Sequence, residues 1–247
     1  MPSDTAATWN RLPEGGRGGV LPSVDSVVYG PDIGTETEFR LLGNLTGKRV
    51  LEVGCGAGCN VVAMAGQGAH AIGLDFSTEQ LAAARRLAEQ EKVKVDLHAG
   101  DLAELVFLRA ESIDIAFSAY ALGLVEDLNR VFRQVHRVLK QGSAFVFSLP
   151  HPSSHLIDDD DPEQPLLIRR SYFDRSRVSY DFEGLPLSAH HHTFSDLFTG
   201  LSRANFSVDT VLEPEPTADG GHRSSHWREA YSWVPRTLVM RARKEGI

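Results

Sequence analysis

The chain has 247 residues, of which 42% are hydrophobic and 23% charged, and a formal net charge of −8. These proportions describe a globular chain with enough apolar material for a sizeable core and exclude a disordered one, and the negative balance gives no bulk attraction to nucleic acid or to an anionic membrane. Two cysteines, Cys55 and Cys59, exclude a disulfide-dense scaffold; no apolar run reaches the ~18–20 residues that span a bilayer and no apolar signal segment opens the chain, so a cytoplasmic protein without membrane partners is expected.

Residues 1–34 are rich in Gly, Pro, Ser and Thr. The piece Pro13–Gly19 cannot hold a helix, and the whole stretch reads as a flexible leader or lid. A helical pattern starts at Thr35, with Phe39, Leu41, Leu42 and Leu45 apolar. From there strands and helices alternate. Arg49–Val53 reads as a buried strand, Asn60–Gln67 as a short helix and Ala69–Leu74 as a second strand. Ser77 is a good N-cap, and Ser77 to Gln80 fits a capping box ahead of a helix with Leu81, Ala84, Leu87 and Ala88 on one face. Val93–Leu97 and Ile113–Ser118 read as strands. Leu128–Leu139 reads as an amphipathic helix stopped by Gly142, and Ala144–Leu149 as a fifth strand.

The alternation breaks at Pro150. Residues 150–192 carry the acidic run Asp158–Asp161, several aromatics and little periodicity, and read as an insertion over the site. The acidic run lacks a glycine-spaced ligand loop and reads as a solvated loop. Residues 193–247 return to a helix over Thr193–Ala204 and two strands, Phe206–Leu212 and Thr237–Ala242. The expected fold is therefore a single α/β domain: a doubly wound, mostly parallel, seven-stranded sheet of Rossmann-like type, with an insertion before its last two strands.

The most informative stretch is Val50-Leu51-Glu52-Val53-Gly54-Cys55-Gly56-Ala57-Gly58-Cys59-Asn60, a strand running through alternate glycines into a helix. Glycine accepts positive φ and lets backbone approach a ligand, and the helix N-terminus offers free N–H groups. A dinucleotide fingerprint is G-x-G-x-x-G; here the third glycine comes one residue early. Glu52 would repel a pyrophosphate but suits a ligand carrying an ammonium group. Asp75, 17 residues after Gly58, ends the second strand, where a carboxylate serves as bidentate acceptor for two ribose hydroxyls. Asp101 follows the third strand, where it can accept from an adenine amino group.

Together these residues resemble the class I S-adenosylmethionine (SAM)-dependent methyltransferases, closely over Thr35 to Leu149, the SAM-binding core, and more loosely from Thr193 to Lys244. The resemblance implies that Glu52, Gly54, Cys55, Gly56 and Gly58 shape the methionine end of the cofactor site. It implies Asp75 for the ribose, Phe76 as an apolar cover on adenine, Asp101 with Leu102 at the adenine edge, and Ser118 to Ala121 lining the methyl group. The stretch Ala189 to Phe194, with Val211 to Pro214, is similar to bacterial small-molecule methyltransferases of type 11, in which a His-rich approach precedes the late helix and the insertion covers the acceptor. SAM would be the cofactor, S-adenosylhomocysteine the product, and a metabolite or natural-product intermediate the acceptor.

A general base is needed only where the acceptor holds its proton firmly, and histidine is then the usual choice. His190, His192 and His151 are the candidates with Tyr120, and His155 and His191 lie nearby in sequence. In an extended segment His190 and His192 share a face and His191 points away. Tyr172, Phe173 and Tyr180 suit either the wall of an apolar acceptor site or a small core within the insertion. No metal site is expected. An RNA or protein methyltransferase, needing a basic face that Arg169, Arg170, Arg175 and Arg177 would have to supply, and a non-catalytic SAM-binding protein are the competing readings, and the chain is expected to be a monomer or homodimer.

Overall fold

In the computed structural model residues 8–11, 23–157, 163–164, 166–182, 185–217, 224 and 227–246 are described. Pro13–Gly19 and Asp158–Asp161 lie outside the described residues, as does the side chain of Tyr180.

The strands are β1 (Arg49–Val53), β2 (His70–Asp75), β3 (Val95–Ala99), β4 (Ile113–Ala119), β5 (Leu139–Pro150), β6 (Val178–Phe182), β7 (Leu185–Ala189), β8 (Phe206–Leu212) and β9 (Thr237–Lys244). The helices are α1 (Glu36–Phe39), α2 (Cys59–Gly66), α3 (Thr78–Gln90), α4 (Leu128–Val138) and α5 (Phe194–Arg203). Seven strands form one sheet in the order β3-β2-β1-β4-β5-β9-β8, while β6 and β7 pair as a separate hairpin. The first five are parallel, and β9 alone runs against its neighbours. The order reverses between β1 and β4, so the carboxyl ends of these two strands open a crevice for a ligand.

Near-continuous apolar strands follow from burial on both faces. Leu51, Val53, Phe145 and Phe147 pack under α4 and α5 with Val131, Phe132, Val135, Leu197 and Leu201. Val50, Phe117 and Val146 face the other way, under Val61, Met64 and Leu81 of α2 and α3. Each fully buried side chain of this size contributes about 1.5–3 kcal/mol. No helix among the described residues is long and apolar enough to cross a membrane.

Several boundaries depart from the sequence reading. The third strand is Val95–Ala99, because the Val93 amide closes the end of α3 on the Ala88 carbonyl. Leu139 ends α4 but already pairs with Ile113, so β5 runs through Gly142 instead of starting at Ala144. The helix from Thr35 stops at Phe39; Glu36 holds the next turn instead, its carboxylate accepting from the amides of Leu41, Leu42 and Gly43. At α3 only half of the capping box exists. Ser77 Oγ accepts from the Gln80 amide, but Gln80 Nε2 donates to the Trp9 carbonyl.

The leader is the larger correction. Residues 23–35, read in sequence as part of a flexible leader or lid, pack on the core through Val27, Tyr29 and Ile33. Val27 and Tyr29 are fully buried, and Asn60 clasps the backbone of Val28 through two hydrogen bonds, 2.8 and 3.0 Å. Asp32 accepts from Ser224 and Arg236, tying this segment to the approach to β9. The Gly and Pro content hid an apolar set, Val27, Tyr29 and Ile33, that the sheet face needs as a cover.

Candidate active site

The glycine loop sits at the carboxyl end of β1. Gly54, Gly56 and Gly58 all have positive φ (81°, 50° and 90°), a region that L side chains enter only at a cost. They do different work. A Cβ on Gly58 would stand 2.6 Å from Ala84 Cβ, so this glycine lets α2 and α3 close on each other. A Cβ on Gly54 would collide with Ala121. A Cβ on Gly56 would meet nothing within 4 Å. Gly56 therefore borders open space, which suits close approach of a ligand.

Two buried carboxylates flank the loop. The Asp75 side chain accepts from the Gly56 amide on Oδ2 (2.8 Å) and from the Ser77 amide on Oδ1 (2.9 Å). Burial raises its pKa despite these amides. Each oxygen keeps a further lone pair for a ligand hydroxyl. Glu52 lies under the N-terminus of α2, and its Oε2 is buried without a partner. Burial pushes its carboxyl well above the usual range, Asn60 and the Val61 amide pull it back, and the nearby Asp75 pushes it further up. Among the described residues no hydrogen bond or ion pair joins either carboxylate to a Lys or Arg. Uncompensated buried carboxylates favour a cationic ligand. SAM, with its ammonium and sulfonium charges and ribose hydroxyls, fits that donor and acceptor set.

The remaining cofactor candidates divide. Asp101 lies after β3, with Oδ1 accepting from the Ala103 amide at 2.8 Å. Phe76 follows Asp75 and is half-buried. Leu102 is fully buried beneath Gly54, leaving its backbone for the adenine edge. Cys55 turns its sulfur toward Gly73 and into the core, where burial raises the thiol's pKa; its backbone alone remains for a ligand. Ser118 is fully buried and donates to the Val53 carbonyl at 2.7 Å, so it braces β4 against the end of β1 instead of lining the cleft with a free hydroxyl.

Tyr120 carries a φ of 62°, sparsely populated for an aromatic residue. Its amide donates to the Ser148 carbonyl, its hydroxyl lies 2.5 Å from Thr237 Oγ1, and its ring presses on Gly30. It is wedged between the N-terminal segment and β9.

The insertion is moored over the ends of β4 and β5. The His190 amide donates to the Gly123 carbonyl, and His192 Nε2 lies 2.8 Å from the Val125 carbonyl, so it carries the proton. Arg175 pairs with Asp196, the acidic partner in the Thr193 capping box of α5; burial opposes this, but Arg175 and Thr193 hold that carboxyl down at about 2. Tyr172 Oη accepts from the Phe194 amide at 3.0 Å. Phe173 is 79% exposed and forms no wall. Arg170 is spent on carbonyls of its own loop and on Asp174, and Arg177 faces Glu126. Arg170, Arg175 and Arg177 thus each face an acidic side chain.

The histidines separate as the alternation requires. The rings of His190 and His192 stack at 6.2 Å, while His191 turns away to the Tyr172 carbonyl (2.8 Å) and to His155 (3.3 Å). His151 is engaged at both nitrogens: Nδ1 accepts from the Ser153 amide, so the proton sits on Nε2, 2.8 Å from Glu213 Oε1. Burial lowers the pKa of all five histidines, His151, His155, His190, His191 and His192, which keeps them neutral at physiological pH. The contact between His155 and His191 was not legible in sequence, because 36 residues separate them and only the return of the chain through β6 and β7 joins them. Among the described residues no group of three His, Cys, Asp or Glu could hold a metal ion.

Comparison with known proteins agrees with this geometry. Residues 51–147 match the methyltransferase domain family. The ubiquinone biosynthesis O-methyltransferase of Hahella chejuensis is 38% identical over 104 residues, 42% of this chain and 44% of that enzyme, so the chain spans less than half of that relative. The structure of an S-adenosylmethionine-dependent methyltransferase from Mesorhizobium loti is 27% identical and superposes with a TM-score of 0.67 over 83% of this chain and 95% of that one. A structure from Listeria monocytogenes at 23% identity shares the fold, with a TM-score of 0.71 over 84% of this chain and 95% of its own. Strand order, glycine loop and the match over residues 51–147 give this part of the chain as a methyltransferase domain of the class I SAM-dependent kind.

Proposed function

We propose that the enzyme methylates an oxygen atom of a small organic acceptor held beneath the 150–192 insertion. The observation that carries this reading is the set of neutral imidazoles that the insertion brings over the ends of β4 and β5. A neutral imidazole accepts a proton from a hydroxyl, a step worth about 10²–10⁴ in rate. The O-methyltransferase named among the relatives supports an oxygen acceptor, although the likeness covers 42% of this chain. The net charge of −8 and the internally paired arginines favour a small acceptor over RNA.

SAM supplies an activated methyl group on sulfur, so the protein has to bind, orient and exclude water. Glu52 and Asp75 would hold the cofactor's cationic and ribose ends, with Gly56 giving close backbone approach. Tyr120, fixed by Thr237 and Ser148, would form the wall between cofactor and acceptor. His192 keeps its proton on Nε2 toward Val125, which leaves Nδ1 as an acceptor.

The test is a panel of catechol, an aliphatic hydroxy acid, an aromatic amine and bulk RNA, each incubated with SAM and the protein. S-adenosylhomocysteine formed with a hydroxyl compound, and a methoxy product by NMR, is the expected result. Transfer to the amine or to RNA alone would overturn the reading.

A further inference from the structure

His155 lies in the short turn Pro152–Leu156 that leaves the end of β5, and His191 follows β7. The two meet with Nδ1 facing Nδ1 at 3.3 Å. Their proton positions follow from the surroundings. His191 Nε2 is 2.8 Å from the Tyr172 carbonyl, which can only accept, so His191 carries its proton there. A neutral His191 then has a lone pair on Nδ1, and His155 must donate to it from its own Nδ1. His155 Nε2 is left as an acceptor without a hydrogen-bond partner among the described residues, in a largely buried side chain. The preferred tautomer of a free imidazole is thereby inverted at this one residue.

The surroundings of the two rings also differ in charge. His155 is faced by His191, Arg170, His192 and His151, groups that are neutral or positive. His191 is faced by Arg170 and Arg175 as well, but the Tyr172 carbonyl and the Asp196 carboxylate work in its favour. A positive charge is therefore better placed on His191 than on His155.

Resting on the oxygen-acceptor reading, we propose that His155 and His191 form a proton relay for the acceptor hydroxyl. As the acceptor's O–H bond breaks, its proton binds His155 Nε2, and the proton on His155 Nδ1 passes to His191 Nδ1. The electron pair freed on oxygen forms the bond to the methyl carbon, and the pair of the C–S bond stays with sulfur. The sulfonium's positive charge thus moves from sulfur to His191, where the Tyr172 carbonyl and Asp196 receive it. His155 is the catalytic residue of the pair and His191 its positioning residue.

The experiment uses the full chain, labelled with ¹⁵N-histidine and saturated with S-adenosylhomocysteine, and reads the tautomers by long-range ¹H–¹⁵N spectra. His155 should be neutral across the neutral pH range with its proton on Nδ1, and His191 with its proton on Nε2. In His191→Phe, His155 should revert to the Nε2–H form. With catechol as the probe, His155→Phe and His155→Gln should each lose about a hundredfold in kcat at neutral pH with KM for SAM unchanged. At about pH 10, where a phenol ionises unaided, most of that deficit should vanish. A wild-type His155 with its proton on Nε2, or variants that keep full catechol turnover, would overturn the relay. A wild-type enzyme that leaves every hydroxyl compound untouched would count against the oxygen-acceptor reading, while the tautomers still decide the relay's geometry.

Discussion

The amide of Gly56 donates to Asp75 Oδ2 at 2.8 Å, so the glycine loop after β1 and the carboxylate at the end of β2 form one unit. A ligand that draws on Asp75 also senses the loop, and the second Asp75 oxygen is held by Ser77 at the N-terminus of α3.

Asp75→Asn keeps the size but removes the charge and one of the two amide acceptors. Loss of a charged hydrogen bond costs about 1.5–3 kcal/mol, so SAM affinity should fall by about ten- to a hundredfold. Calorimetric titration checks this, and an unchanged affinity would remove Asp75 from the site.

Gly56→Ala and Gly58→Ala should separate binding from folding. At Gly58 an alanine meets Ala84 Cβ at 2.6 Å and Cα at 2.9 Å with φ at 90°, so the α2–α3 contact must open. Overpacking with backbone strain costs about 3 kcal/mol or more, a fall in Tm of about 5–10 °C for a chain of this size. At Gly56 the added methyl enters open space and only the backbone cost of φ 50° remains, about 1–2 kcal/mol, so the melting point should fall less than in Gly58→Ala while SAM binding is lost. Equal effects of the two variants on Tm would contradict this division.

Glu52 and Asp75 have raised pKa values because burial disfavours their charged forms. A cationic ligand favours the ionised carboxylates, so SAM binding should release protons and tighten as pH rises through the Glu52 pKa. Titrations in buffers of different ionisation heat read the proton count directly. Glu52→Gln should weaken binding and flatten the pH dependence, and proton uptake instead of release would refute the assignment.

The insertion's histidines should make the fold acid-sensitive. His155 is shifted from 6.5 down to about 4 by burial and by His191, so below the unfolded value the unfolded chain binds the extra proton first. Stability is fullest above pH 6.5 and falls as pH drops toward 4, by roughly 3 kcal/mol from His155 alone. Urea melts of the wild type and His155→Phe across that window should differ in slope, and parallel curves would contradict the burial.

The core of the fold was legible in sequence because its signals are local. Val131, Phe132, Val135 and Val138 repeat at helical spacing, and the glycines mark the β1–α2 turn by their chemistry. What was missed depends on distant partners. Nothing near Val27 and Tyr29 announces that they cover a sheet face, because Asn60 and Ser148, which hold their backbone, lie far along the chain. The β6–β7 hairpin carries weak periodicity and pairs apart from the main sheet. In the site, the acidic residues at successive strand ends were readable. The inward turn of Ser118 toward Val53 and the pairing of His155 with His191 were not, since each is set by tertiary packing.

The account rests on one site, in which the glycine loop, Glu52 and Asp75 hold SAM. Its most direct test is a calorimetric titration of the purified, folded chain with S-adenosylhomocysteine and SAM at mildly alkaline pH. Saturable one-to-one binding in the micromolar range, abolished in Gly56→Ala while that variant stays folded, is the predicted result. Binding that survives Gly56→Ala unchanged, or no binding of either compound by the folded wild type, would contradict it.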